Sequence, residues 1–285
     1  MAVLKNINLL SSCIDKPGIV AAVSKFIMDQ NCSIIDAGQH LDLKTKIFYM
    51  RYKFSAPNEK NILKKLEDNF VSIKNKFDMQ LDFIDADIKK KVVLMASKET
   101  HCIEDILYRV KSGDLNCEIV AVISNHEIIK DRVNWHKIPF IYSPIDNNKS
   151  KHFAEISEKL DSLNPDCIVL AKYMQILPEN ICEKYKNKLI NIHHSFLPAF
   201  VGSKPYQQAF DKGVKIIGAT SHFVTADLDQ GPINEQDVMR VSHRDNVSDF
   251  IRNGRDIERL VLARALAAYL EDRVVISNDG KTIVF

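Results

Sequence analysis

The sequence predicts an α/β protein in two parts: a ferredoxin-like βαββαβ unit over residues 1–86, then a doubly wound, mostly parallel sheet over residues 87–285. Three observations predict it. Apolar residues alternate between strand and helix periods in the order βαββαβ over the first part. The pattern resets at a charged hinge, "ADIKKK". From there, short continuous apolar runs alternate with amphipathic helical segments, the signature of a parallel sheet covered on both faces. A length of 285 residues, 46% hydrophobic and 27% charged, suits two ordinary globular domains.

In the first part, "VLKNINLLSSC" reads as a strand and "DKPGIV" as a turn whose Pro17 opens a helix. Ile19, Val23, Phe26 and Ile27 fall on one face of that helix, up to the polar break "DQN". "CSIIDAGQHLDL" and "KIFYMRYKF" are β-rich runs separated by a tight turn at Lys44–Thr45, which predicts a hairpin. A second helix follows with Ile62, Leu63, Leu66, Phe70 and Ile73 on its apolar stripe, and "MQLDFID" closes the unit as a strand.

In the second part, "VVLMAS", "EIVAVIS", "IPFIYSP", "DCIVLAKY" and "KLINIH" read as buried strands. A helix through Ile103, Ile106, Leu107 and Val110 and another in "FAEISEKLDSL" fall between them. "KIIGATSHFVT" and "GPINEQDVMRV" read as a pair of longer, half-polar strands. "GRDIERLVLARALAAYLEDR" predicts a strong helix with Ile257, Leu260, Val261, Ala265 and Ala268 inward.

Composition excludes several classes of function. A net charge of +2, with no basic block longer than Lys89–Lys91, argues against nucleic acid as a partner. The amino-terminal apolar stretch is broken by Lys5, Asn6 and Asn8, and no run reaches membrane-spanning length, so a cytoplasmic protein is expected. The six cysteines lack any C-x-x-C spacing, which predicts reduced, buried thiols and no metal site.

The chemistry is concentrated in "NIHHSFLPAF" and "SHFVTADLDQGP". In open α/β sheets ligands bind beyond the carboxyl ends of the strands, where "NIHH" falls. Asn191 and His193 are two apart, so an extended chain aims both to one side, with Ile192 and His194 on the other. Asp229 sits in a Gly-terminated loop that packing does not require. An amide, an imidazole and a carboxylate supply an oxyanion donor, an acid/base and an orienting or deprotonating group, the minimum for attack on a carbonyl. Spacing alone leaves the reaction class open. His222, inside a β run, is expected to matter less.

The run "NIHHSFLPAFVGSKPYQQAFDKGVKIIGATSHFVTADLDQGPI" resembles the signature of the folate-dependent formyltransferase family. The resemblance implies that Asn191, His193 and Asp229 are the catalytic set. "LAKYMQILP" looks like the family segment lining the pterin end of the folate pocket, which implies that Met174, Gln175, Ile176 and Leu177 bind folate, Met174, Ile176 and Leu177 as apolar walls. "DKPGIVAAVSKFI" resembles an ACT domain, a ligand-sensing module that commonly binds amino acids and pairs with itself. This implies a regulatory site around Asp15, Pro17, Gly18 and Ile19 for an effector such as glycine or methionine, and a homodimer or homotetramer.

Together the two parts are similar to the deformylase branch of that family. The implied activity is hydrolysis of 10-formyltetrahydrofolate to tetrahydrofolate and formate, supplying formate for purine synthesis and balancing the one-carbon folate pool. It needs no metal or redox cofactor. Two alternatives are a formyltransferase acting on a small amine such as glycinamide ribonucleotide and a folate-binding regulator without catalysis. Which of His193 and Asp229 is the base stays open. The stretch "MASKETHCIED" lacks the glycines of a phosphate cradle. Glu99, Thr100 and His101 are expected to fill the acceptor's space, with Glu99, Glu104 and Asp105 repelling a phosphate.

Overall fold

The computed structural model describes residues 4–145, 148–199 and 204–285, so residues 200–203 of the long motif run lie outside the described residues. The chain divides into two units. One runs to Lys89 and takes in Glu271–Arg273 and Phe285; the other holds Lys90–Leu270 and Val274–Val284. The sequence reading had assigned all of 87–285 to the second part, whereas these late residues group with the first.

The first unit is β1 (Leu4–Ile14), α1 (Ile19–Asp29), β2 (Ser33–Leu41), β3 (Ile47–Pro57), α2 (Ile62–Phe77) and β4 (Gln80–Asp85). Its antiparallel sheet has the order β2-β3-β1-β4, the ferredoxin-like arrangement. Ile7 and Leu9 of β1 pack with Val23 and Phe26 of α1 and Leu66 and Phe70 of α2. Phe26 meets Phe70 edge-on at 4.8 Å, an arrangement the ring quadrupoles favour. Leu63 and Ile73, expected on the α2 stripe, are only partly buried at its margin.

Buried Arg51 on β3 pairs with Asp36 at 2.7 Å and donates to the carbonyls of Glu271 and Asp272 at 2.9 and 3.0 Å. Asn8 donates to the Asp272 carboxylate at 2.9 Å. These bonds satisfy a buried guanidinium and two backbone acceptors at once, which is why the late segment belongs to this unit.

The second unit contains β5 (Lys90–Ala96), α3 (His101–Ser112), β6 (Cys117–Ser124), α4 (Lys130–Trp135), β7 (Phe140–Tyr142), α5 (Lys149–Leu163), β8 (Cys167–Leu170), α6 (Glu179–Lys184) and β9 (Leu189–His193). It continues with α7 (Pro205–Asp211), β10 (Ile216–Phe223), β11 (Ile233–Arg240), α8 (Val247–Leu270), β12 (Val274–Ile276) and β13 (Thr282–Val284). The sheet order is β11-β10-β9-β8-β5-β6-β7, with β5 to β9 parallel and β10 antiparallel to both neighbours.

From β5 the chain runs outward through β6 and β7, then returns to lay β8 on the other flank of β5. This reversal opens a crevice at the carboxyl ends of β5 and β8. The core strands carry little polar character: Val92 to Ala96 are all buried. No helix among the described residues is long and apolar enough to cross a membrane.

Several elements exceed the sequence reading. The final helix begins at Val247, well before "GRDIERL", and the hairpin of β12 and β13 follows it. Three helices of six or seven residues, α4, α6 and α7, are too short to show a periodic stripe.

Candidate active site

β9 ends at the crevice and carries Asn191 and His193 there. In the antiparallel ladder with β10, His222 lies directly opposite Asn191 and Thr220 opposite His193. Directly paired residues share a face, so the register itself brings His222 to Asn191. The Asn191 amide nitrogen is 3.2 Å from His222 Nε2. The other ring nitrogen, Nδ1, faces the Phe223 carbonyl at 2.9 Å and donates to it.

Asp229 completes the group from the loop after β10. Its Oδ2 is 3.3 Å from His193 Nδ1 and its Oδ1 is 3.5 Å from His222 Nε2. The backbone there is left-handed, with φ 57° at Asp229, a conformation that aspartate tolerates better than most residues. Gly231 lets the loop come this close, because a Cβ at that position collides with the Phe223 carbonyl oxygen.

Hydrogen bonds from His193 and then His222 hold the Asp229 carboxyl well below the usual carboxylate range. His222 has one nitrogen for two partners: a neutral ring accepts from Asn191 at Nε2, and an imidazolium donates to Asp229. His193 Nε2 is buried and has no hydrogen-bond partner among the described residues. This unpaired nitrogen belongs to a residue on a cavity wall.

That cavity, about 360 Å³, is lined by Asn191, His193, His222 and Asp229 together with Met174, Gln175, Ile176 and Leu177. Leu177 is buried, Gln175 half-buried, and Met174 and Ile176 are exposed among the described residues. The segment is tied to β5 by the Met174 N–H, which donates to Ser97 Oγ at 3.1 Å.

The expectation for His194 needs correction. β9 stops at His193, so strand alternation no longer holds, and the His194 ring stacks on the His193 ring at 5.2 Å. Burial, then the Lys172 charge, pushes its pKa down to about 4.

A second cavity, about 650 Å³, adjoins the first and includes Ser97, Lys98, Glu99, His101, Lys172 and Glu258 in its lining. Of Glu99, Thr100 and His101, expected to fill the acceptor's space, Glu99 and His101 line this cavity. The nearby acids do not stand free: Glu99 pairs with Arg255 at 3.1 Å, Asp105 with Arg109 at 2.7 Å, and Glu104 with Arg132.

Sequence reasoning missed His222, Lys172 and Glu258. For Glu258 a signal existed: a carboxylate beside Ile257 on the apolar stripe of α8 is the informative kind of exception. His101, Cys102 and Glu258 lie close enough to hold a metal ion. His101 and Glu258 are hydrogen-bonded to each other at 2.8 Å, however, and burial pushes the Cys102 thiol far up.

In unit 1, Asp15, Pro17 and Gly18 form an exposed turn and Ile19 is a core residue. Gly18 has φ 92°, so the turn needs glycine for its backbone alone.

The formyl transferase family model matches residues 90–266. A protein named formyltetrahydrofolate deformylase from Bacillus subtilis (strain 168) is 45% identical over 97% of this chain and 93% of its own length. The chain belongs to the formyltetrahydrofolate deformylase family. A crystal structure of a formyltetrahydrofolate deformylase from Pseudomonas syringae pv. tomato superimposes with a TM-score of 0.94 at 47% identity, over 99% of this chain and 94% of that one. The glycinamide ribonucleotide transformylase 1 of Symbiobacterium toebii matches with a TM-score of 0.66 at 27% identity, over 72% of this chain and 98% of its own. Deformylase relatives thus align along the whole chain, and the transformylase along only part of it.

Proposed function

We propose that this protein hydrolyses 10-formyltetrahydrofolate to tetrahydrofolate and formate, with Asn191, His193 and Asp229 as its catalytic residues. Full-length similarity to proteins named for that activity supports the reaction. One observation carries the residue assignment: His193, on the wall of a cavity with apolar lining, is paired through Nδ1 with Asp229 and keeps an Nε2 that has no hydrogen-bond partner among the described residues.

The pterin sits against Met174 to Leu177, and the folate then presents its N10 formyl group to β9. With Nδ1–H held by the carboxylate, Nε2 carries a lone pair and takes a proton from the attacking water, the orienting logic of an Asp–His pair. The Asn191 side-chain amide gives a hydrogen to the formyl oxygen, where charge develops. The imidazolium formed at His193 then protonates N10 as the C–N bond breaks. Asp229 stays ionised and orients the ring, which makes His193 the base in this reading.

Formate release from 10-formyltetrahydrofolate with no acceptor added is the deciding experiment, with one formate expected per tetrahydrofolate. Glycinamide ribonucleotide should neither speed the reaction nor become formylated, because the loop after β5 has no glycine to bring backbone N–H groups onto a phosphate. Formylated ribonucleotide forming as fast as formate overturns the reading.

The same reading places the enzyme in the cytoplasm, which suits six cysteines that form no disulfide. It assigns the first unit to an amino-acid effector, glycine or methionine, and to self-assembly as a homodimer or homotetramer. β2 supports assembly: it is an edge strand with Ile34 and Ile35 exposed.

A further inference from the structure

Hydrolysis ends with an anion beside an anion. Water adds oxygen to the formyl carbon, the C–N10 bond breaks, N10 gains a proton, and formic acid loses its own proton and leaves as formate. Asp229, already ionised, borders the place where formate is born. With the folate product in the smaller cavity, as the hydrolysis reading has it, the larger cavity offers space beside it. Lys172, Met174, Gln175 and His194 line both cavities and mark the passage between them.

Lys172 is the one buried lysine at this passage, 7% exposed, and follows β8 with φ 63°. Its Nζ is 3.1 Å from Glu258 Oε2. Glu258, 1% exposed, also accepts from His101 Nε2 at 2.8 Å and from the Tyr206 hydroxyl at 2.6 Å. Burial works against the Glu258 charge, but the His101 hydrogen bond and the Lys172 ammonium hold its pKa down to about 2. Glu258 is thus a fixed anion that pins the ammonium in place, and a single ion pair among the described residues leaves donor capacity on Lys172 Nζ.

Other donors border the same space. Ser97 Oγ accepts from the Met174 N–H and keeps its own hydrogen to donate. Around the larger cavity, Lys98, Lys172, Lys204 and Arg255 outnumber the carboxylates Glu99 and Glu258.

We propose that Lys172, with Ser97 at the neighbouring strand end, forms a binding site for formate on the side of the larger cavity, through which formate leaves while tetrahydrofolate is still bound. The site rests on the hydrolysis reading for its purpose and not for its detection. Titrating the full-length protein with [13C]formate, with and without tetrahydrofolate, tests it by NMR line broadening. Wild-type protein should bind formate in both states, Lys172→Gln at least tenfold more weakly, and Lys172→Arg within about threefold of wild type. Product inhibition by formate should follow the same order. No binding to wild type, or equal binding to wild type and Lys172→Gln, overturns the site, as does a loss in Lys172→Arg equal to that in Lys172→Gln when its melting is native. Formate binding that depends on Lys172 in a protein that releases no formate from 10-formyltetrahydrofolate leaves the site standing and removes the hydrolysis reading.

Discussion

Asp229 touches two imidazoles, and they are not equivalent. His193 pairs with it and has a second, buried nitrogen without a hydrogen-bond partner among the described residues, whereas both nitrogens of His222 face protein groups. His193→Ala and Asp229→Asn should each lower kcat at least about a hundredfold with little change in folate affinity, the usual loss for an acid/base group. His222→Ala should cost roughly tenfold, because it disturbs the orientation of Asn191 and Asp229 without removing a proton carrier; steady-state kinetics on the three variants checks the order. His194 gives a prediction about stability. Its folded pKa of about 4 lies below its ordinary 6.5, so between those values the unfolded chain binds a proton that the native one refuses. Stability from this group is complete above pH 6.5 and is lost as pH falls toward 4, at up to about 1.4 kcal/mol per pH unit. Urea unfolding from pH 7 to pH 4 should show this slope, and His194→Asn should flatten it; an unchanged slope refutes the assignment. That Asn191 and His193 come together was legible in the sequence because both lie on one strand, two residues apart. His222 was not, since a residue within an alternating run reveals its partner only when the strand register is known.

The loop between β10 and β11 is held by a steric fit as much as by hydrogen bonds. Gly231→Ala should push it away from Phe223, carry Asp229 off His193, and lower kcat more than tenfold, with a stability loss of about 1–3 kcal/mol. Kinetics and urea midpoints together test this, and native kinetics would show that the loop has slack. In α8, Gly254 leaves room for the Tyr206 ring, whose hydroxyl reaches Glu258 one turn on. The strands β5, β6 and β9 and the long helices were readable because burial on both faces writes continuous apolar runs and burial on one face writes a 3.6-residue stripe. A buried carboxylate in such a stripe breaks the pattern by one residue only, so Glu258 was passed over. The larger cavity was beyond reach for another reason: residue size at positions 99 to 101 does not reveal the direction of each side chain, and Glu99 turns to Arg255.

At the level of the whole chain, the boundary near residue 89 is crossed again by Glu271–Arg273, which joins the first unit. Arg51→Ala removes the donor that two backbone carbonyls of that segment share, and should cost about 2 kcal/mol of stability. Calorimetry should place the loss in the transition of the first unit, and a loss confined to the second unit would refute this account. A fragment of residues 87–285 should retain the parallel sheet by circular dichroism and release formate, but show no response to glycine or methionine; insoluble fragment in repeated preparations would count against a separable second unit. The Arg51 contacts span 220 and 221 positions of sequence. At the usual pace of translation, 5–20 residues per second, roughly ten to forty seconds pass between the synthesis of Arg51 and that of its acceptors. The first sheet therefore emerges from the ribosome early and waits with a guanidinium it cannot yet bury. Nascent chains arrested before Glu271 should expose that face to protease, and those arrested once Arg273 has cleared the exit tunnel should protect it.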